Sequence, residues 1–272
     1  MKQFLWIHIP VNDVKLLDGS LGKPEYESFD NDFGKVEAFK IINSYFDDEI
    51  TFNNLKSMGV RYSVFRREYK FSKKEIENAE ILVMKIDDCA KGSGSEEHKG
   101  VLCNECGLNY LSIRDTCSLF LNSLFLKKVD ICCTYMGESE LLVSQQLADE
   151  LVNKFNISGR FEQIYDYRKG DCINSHKRLI LEEGIGSVIF PSIVEKGGHC
   201  QNCDTYDTYL CQTPLFFKRN EWGGKSICYT KDWFGQPRLS QGKTIIINSE
   251  MYRFLRDKKI KSVSFEPAFL IN

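Results

Sequence analysis

Short apolar runs, each about the length of a strand, recur along the chain between polar and glycine-containing segments. Runs of this kind predict β-strands when polar turns flank them, and they occur at residues 4–9, 39–42, 62–65 and 81–86. Residues 16–33 are polar, and we expect them to be irregular. The segment Ser72-Lys73-Lys74-Glu75 has the spacing of a capping box, which predicts a short helix after residue 72. Strands and short helices should therefore alternate here.

A strand–helix–strand pattern occurs twice, at residues 141–165 and 245–269, with a constant offset of 104 and no gap. In each copy an aliphatic run is followed by apolar residues spaced four apart, which is typical of an amphipathic helix. A second run containing Phe-Glu comes next. Ser144 and Ser249 stand near the predicted helix N-termini. Either the chain contains two related halves, or two unrelated units share a common pattern.

Two Cys-x-x-Cys pairs carry the clearest chemistry in the chain. Such a turn directs two thiolates at one cation, and two turns supply the four ligands of a closed tetrahedral zinc site. Because 93 residues lie between Cys106 and Cys200, a shared Zn²⁺ would join distant parts of the fold. Each pair also precedes one strand–helix–strand copy. We predict a structural zinc site formed by Cys103, Cys106, Cys200 and Cys203.

Other interpretations of these cysteines stay open. The chain could have lost its metal and kept the thiols, or a pair could act in redox chemistry, which requires a CxxC at a helix start after a strand. Two separate metal sites are also possible, one of them combining His199, Cys200, Cys203 and Cys211. A zinc or thiol enzyme would need an open metal position or a reactive cysteine, and the four histidines lie in no recognisable catalytic motif.

Composition narrows the class of partner. The formal net charge is −2 and the pI about 6.2, so the protein has no strong positive electrostatic field that would attract nucleic acid or an anionic membrane. If the chain binds a macromolecule, we expect a protein partner. No apolar segment approaches the length of a transmembrane helix. The N-terminus lacks the features of a secretory signal, and the cysteine count of 11 is odd. We therefore expect a cytoplasmic protein with thiols or metal ligands rather than disulfides.

The order of these features resembles that of the double-CxxCG-motif immunity proteins of bacterial polymorphic-toxin systems. The resemblance covers roughly residues 70–272, where Cys-x-x-Cys-Gly, a strand–helix–strand, a second Cys-x-x-Cys and a final strand–helix–strand ending in Phe-Glu-Pro follow one another. Asp204 stands where the second motif of the family has glycine. The resemblance implies a cytoplasmic, non-enzymatic protein that binds and neutralises a cognate toxin by stoichiometric occlusion.

We therefore expect an α+β fold with an N-terminal α/β region, residues 1–95, and a zinc-binding region, residues 96–272. The second region should contain two related halves, each with a zinc knuckle and a strand–helix–strand unit. The alternative function is that of a zinc-ribbon nucleic-acid-binding or regulatory protein. Toxin contacts are expected in the aromatic stretch Trp222–Phe234 and in acidic surface loops, although these aromatics could equally be core residues.

Overall fold

The computed structural model combines strands with short helices, in agreement with the predicted α+β class. It forms two compact units, Met1–Glu75 and Ile76–Asn272. The boundary predicted at residues 95 and 96 lies outside the described residues, and the observed division falls earlier in the chain. The structure describes all residues except 18, 20–23, 32–33, 44–47, 91–100, 107–108, 111–117, 127–128, 135–136, 156, 158, 203–204, 207, 213 and 237–239.

The first unit is built on a four-stranded antiparallel sheet in the order β2-β3-β1-β4. Successive side chains of a strand point to opposite faces, so Leu5, Ile7 and Ile9 share the face that packs against Leu55. The elements are β1 (Lys2–Pro10), α1 (Val11–Val14), β2 (Tyr26–Asn31), β3 (Gly34–Asn43), α2 (Asp48–Ser57) and β4 (Ser63–Lys70), followed by α3 (Lys73–Asn78).

The strands predicted in the first unit are confirmed within β1, β3 and β4, whereas three elements were not foreseen. Strand β2 lies inside the segment expected to be irregular, and helices α1 and α2 had no predicted counterpart. The capping box is confirmed: the Ser72 backbone N–H donates to the Glu75 carboxylate at 2.7 Å, and the Glu75 N–H donates to the Ser72 hydroxyl at 3.3 Å.

The second unit contains many short strands and three helices among its described residues. No helix among them is long and apolar enough to cross a membrane. The elements are β5 (Ile81–Ile86), β6 (Cys89–Ala90), β7 (Val101–Leu102), β8 (Asn109–Tyr110), β9 (Leu119–Leu121), α4 (Ser123–Leu126), β10 (Ile131–Thr134), β11 (Gly137–Ser144), α5 (Gln145–Lys154), β12 (Gly159–Asp166), β13 (Cys172–Leu181), β14 (Glu183–Ile185), β15 (Ile193–Lys196), β16 (His199–Cys200), β17 (Thr205–Tyr206), β18 (Tyr209–Gln212), β19 (Phe216–Lys218), a 3-10 turn (Arg219–Glu221), β20 (Ile227–Thr230), β21 (Phe234–Gln236), β22 (Ser240–Gly242), β23 (Ile245–Asn248), α6 (Ser249–Asp257) and β24 (Val263–Ile271).

Both predicted strand–helix–strand units are present, as β11–α5–β12 and β23–α6–β24. Their helices begin at Gln145 and Ser249, which differ by the predicted offset of 104. Side chains at equivalent positions cap both helices, because Ser144 accepts the N–H of Leu147 and Asn248 accepts that of Met251. The N-cap of the second helix is therefore Asn248, and Ser249 is its first residue.

Two six-stranded sheets of the second unit share one topology. Their strand orders are β6-β10-β11-β13-β12-β9 and β14-β20-β23-β5-β24-β19. In each sheet the two outermost pairings are parallel and the three inner pairings are antiparallel. The registers also agree, since Leu179 faces both Leu141 and Phe161, while Met84 faces the equivalent Ile245 and Phe265. The unit therefore consists of two topologically equivalent halves.

The two halves, residues 81–166 and 172–271, exchange their first strands. Strand β13 of the second half lies between β11 and β12 of the first, and β5 of the first half lies between β23 and β24 of the second. Strand β5 is buried as predicted, but it pairs with the C-terminal strands rather than with the N-terminal region to which the sequence assigned it. Each half thus completes the sheet of the other.

The Phe-Glu pair repeated in the sequence contacts these exchanged strands. Glu162 pairs with Arg178 of β13 at 3.2 Å, and Glu266 pairs with Lys85 of β5 at 2.5 Å. The preceding phenylalanines are partly buried against the central core. The same dipeptide therefore fastens an exchanged strand in each sheet.

Side chains of both sheets and of helices α5 and α6 meet in one central core. Alternate residues of β23 divide between two cores: Ile245 and Ile247 lie in the central core, whereas Ile246 lies in a second core on the opposite face. The rings of Phe155 and Phe254 meet edge to face, with centroids 5.2 Å apart. The halves therefore share their largest hydrophobic core as well as their strands.

Asp166 closes the turn after β12, and its carboxylate provides a pH-dependent test of this fold. It accepts N–H groups of Ser123, Arg168 and Lys169 at 3.0–3.3 Å. Hydrogen bonds, first of all with the Ser123 side chain, lower the pKa of Asp166 from 3.8 to about 2. Stabilisation by a carboxylate with a lowered folded-state pKa is complete above the unfolded pKa and is lost as pH falls through the folded one.

We expect Asp166→Asn to lower the urea midpoint at neutral pH, and the difference from wild type to shrink as pH falls from 3.8 to about 2. Urea titrations followed by circular dichroism across this range would measure it. Asp171→Asn, at an exposed carboxylate five residues later, is the control and should keep the wild-type pH profile. A constant difference between wild type and Asp166→Asn down to pH 2 would contradict this role of Asp166.

Candidate metal site

Both CxxC motifs lie at the turns of short antiparallel hairpins. Strands β7 and β8 flank the turn of Cys103 and Cys106, with Leu102 paired to Asn109. Strands β16 and β17 flank the second turn, in which Cys200 pairs with Thr205. A redox pair of the thioredoxin type needs a CxxC at the start of a helix, and neither described hairpin provides one. A CxxC pair in such a turn can direct two thiolates at one cation.

Three of the four predicted ligands come together. The sulfur atoms of Cys103, Cys106 and Cys200 all lie within 4.8 Å of one another, and the Sγ atoms of Cys103 and Cys200 are 3.8 Å apart. A disulfide would bring two sulfur atoms to about 2.05 Å, so these side chains are thiols that could bind one metal ion. Cys203 lies outside the described residues. Sulfur atoms from both halves therefore lie close together, two from the first half and one from the second.

The environment of Cys103 favours the thiolate, which is the form that binds a metal. Its side chain is buried, with 4% of its surface exposed, whereas Cys106 and Cys200 are partly exposed. Hydrogen bonds lower the pKa of Cys103 from 9.0 to about 6, the largest contribution coming from the backbone of Cys106, followed by the Asn202 side chain and the backbone of Glu105. Cys103 is thus prepared to bind a cation at neutral pH.

Two cysteines outside this group, Cys211 and Cys228, are in a different environment. Burial raises the pKa values of Cys211 and Cys228 to about 12, and both residues pack in the second hydrophobic core. Cys211 is part of no described group of three potential metal ligands, and neither is His199, whose ring lies 4.6 Å from that of Tyr206. Among the described residues, the geometry therefore favours one shared site over a separate site that includes His199 and Cys211.

Two residues beside the ligands were not recognised from the sequence. The amide nitrogen of Asn202 donates to the Cys103 sulfur at 3.3 Å, and the Glu105 carboxylate lies 3.8 Å from the Cys200 sulfur. Both residues occupy the third position of their CxxC turns. Their positions within the motifs were evident from the sequence, but their contacts were not, because each residue contacts a cysteine of the opposite turn.

The aromatic stretch proposed as a contact surface is partly used for packing. Trp222 and Phe234 pack against the second hydrophobic core, where the Phe234 ring meets the Tyr209 ring edge to face at 5.2 Å. The positive charge of Lys243 lies over Trp233, 5.0 Å from the ring centroid. These contacts give the aromatic side chains a structural role.

No protein-family model, curated protein or solved structure matches the chain.

Proposed function

We propose that the protein is an immunity protein that binds a cognate bacterial toxin in the cytoplasm and neutralises it by stoichiometric occlusion, without catalysis. The observation that carries this proposal is the convergence of cysteines from two CxxC turns that are 93 residues apart in sequence. This arrangement agrees with what the resemblance to the double-CxxCG immunity proteins implies. The small net charge of −2 agrees with a protein partner.

The proposed scaffold contains one structural zinc ion bound by Cys103, Cys106, Cys200 and Cys203. In a tetrahedral site with Zn–S distances of about 2.3 Å, neighbouring sulfur atoms are about 3.8 Å apart. The Sγ atoms of Cys103 and Cys200 have this separation. Four thiolates would leave no coordination position for water or substrate, so the ion would stabilise the fold and would not activate a nucleophile.

A scaffold of this kind suits an occluding inhibitor. Two halves that share strands, a hydrophobic core and a metal ion form a preorganised surface, which loses less conformational entropy when it binds a partner. Stoichiometric inhibition requires tight binding, and preorganisation is a general means of obtaining it. The metal would therefore contribute to toxin neutralisation indirectly, by holding the binding surface in one conformation.

The test begins with the open reading frame adjacent to the gene. Cells that express its product should stop growing, and coexpression of this protein should restore growth and yield a complex of fixed stoichiometry. A catalytically inactive toxin should still copurify with the protein. Normal toxicity in the presence of the protein, together with no binding to any neighbouring product, would contradict the proposal. Salt-dependent binding to DNA or RNA in a shift assay would instead favour the nucleic-acid-binding alternative.

A further inference from the structure

The two CxxC turns contact each other in a reciprocal way. Glu105 is the third residue of the first turn, and Asn202 is the third residue of the second. Asn202 donates its amide N–H to the sulfur of Cys103, the first cysteine of the opposite turn, at 3.3 Å. Glu105 likewise reaches the first cysteine of the opposite turn, with its carboxylate oxygen 3.8 Å from the Cys200 sulfur. The contacts are equivalent in position but opposite in chemistry.

An amide and a carboxylate act differently on a thiolate. The Asn202 N–H is a donor, so it stabilises the negative charge that Cys103 carries when it binds a metal. The oxygens of an ionised Glu105 carboxylate only accept hydrogen bonds, so they donate none to the Cys200 sulfur. A cysteine that binds a metal does so as a thiolate, so Glu105 places a second negative charge 3.8 Å from the Cys200 sulfur. One zinc ion with four thiolates is already net negative, which adds to the repulsion.

We propose that Asn202 and Glu105 are opposing positioning residues of the metal site. Asn202 strengthens coordination by Cys103, and Glu105 weakens coordination by Cys200, so Cys200 is the ligand that dissociates first when zinc is released. The inference rests on the proposed zinc site, but it does not depend on a toxin partner. It makes the second turn, which includes Cys200, the labile side of the link between the two halves.

The test uses the zinc-loaded full chain and measures the rate of zinc release to an excess of a chromogenic chelator. Two isosteric substitutions exchange the chemistry of the two positions. Asn202→Asp replaces the donor with a carboxylate, and we expect release to become at least about tenfold faster, since residues that orient metal ligands typically change affinity by about 10–100-fold. Glu105→Gln replaces the carboxylate with a donor, and we expect release to become about tenfold slower.

Opposite changes in the zinc release rate of the two isosteric variants distinguish a positioning role from a merely structural one. Asn202→Ala, which removes the donor without adding charge, should release zinc at a rate between those of wild type and Asn202→Asp. Cobalt-substituted forms of all variants should keep the thiolate-to-cobalt absorption of the wild type, which confirms that the ligand set is unchanged. If both isosteric variants release zinc faster, or if neither differs from wild type, the inference is overturned while the zinc site stands. A wild-type chain that binds no zinc would overturn both.

Discussion

Cys200→Ser is expected to lower the free energy of unfolding by about 4 kcal/mol or more, because it removes a ligand of the zinc site that we propose between the two halves. Ligands of a structural zinc ion contribute directly to folding, since the assembled site does not exist in the unfolded chain. Serine is close to cysteine in size, but its hydroxyl is a poor zinc ligand at neutral pH. The loss therefore reports metal binding more than packing.

Equilibrium unfolding by guanidinium chloride, with and without a strong chelator, would measure this effect. The chelator should destabilise the wild type to about the level of Cys200→Ser and should have little effect on the variant. Cys172→Ser is the matched control, because Cys172 is exposed and outside the cluster, and its stability should stay within about 0.5 kcal/mol of wild type. A wild-type unfolding midpoint that does not respond to the chelator would contradict a structural metal.

Leu82→Ala is expected to lower the free energy of unfolding by about 2–5 kcal/mol, the usual cost of truncating a buried leucine. Leu82 has 0% of its surface exposed and lies in the central core that both sheets share. It belongs to β5, which lies between β23 and β24, although 158 residues separate β5 from β23 in sequence and 176 separate β5 from β24. The substitution should therefore destabilise the C-terminal strands together with β5.

Hydrogen exchange followed by mass spectrometry would locate this effect. Peptides that cover β23 and β24 should lose protection in Leu82→Ala to the same extent as the peptide that covers β5. Val152→Ala is the control, because Val152 has 59% of its surface exposed on α5, and it should change stability by no more than about 0.5 kcal/mol. Loss of protection confined to the N-terminal peptides would contradict the strand exchange.

Local features of the fold were predictable from the sequence because local physics determines them. The apolar run Ile81–Ile86, interrupted by Lys85 alone, indicated a buried strand, and the Ser72–Glu75 spacing indicated a capped helix. The offset of 104 located both strand–helix–strand units, because equivalent cores require apolar residues at equivalent positions. These inferences depend on hydrophobic periodicity and capping, which operate within a few residues along the chain.

The partners of the strands were not predictable in the same way. Periodicity determines which face of a strand is buried, but it does not determine which distant strand pairs with it. Strand β13 was missed because His176, Lys177 and Arg178 interrupt its apolar pattern, although Arg178 is buried and paired with Glu162. The equivalent strand β5 carries Ile81, Leu82 and Val83 at these positions, so its type was evident while its place in the C-terminal sheet was not.

The candidate site was predictable to the extent that its chemistry lies in short motifs. CxxC spacing identified the cysteines, three of which converge in the structure. The contacts of Asn202 and Glu105 depend on how the two hairpins face each other, and spacing within one motif contains no information on that arrangement. The proposed toxin partner could not be identified from any short motif of the chain.

X-ray absorption at the zinc edge, combined with metal quantification of the purified full chain, tests the central claim that one zinc ion joins the two halves. We predict one zinc ion per chain with four sulfur ligands at about 2.3 Å. Substitution of Cys103 and of Cys200, one at a time, should each lower the zinc content of the whole chain. A first shell containing imidazole nitrogen, two zinc ions per chain, or a chain without metal would contradict the shared site.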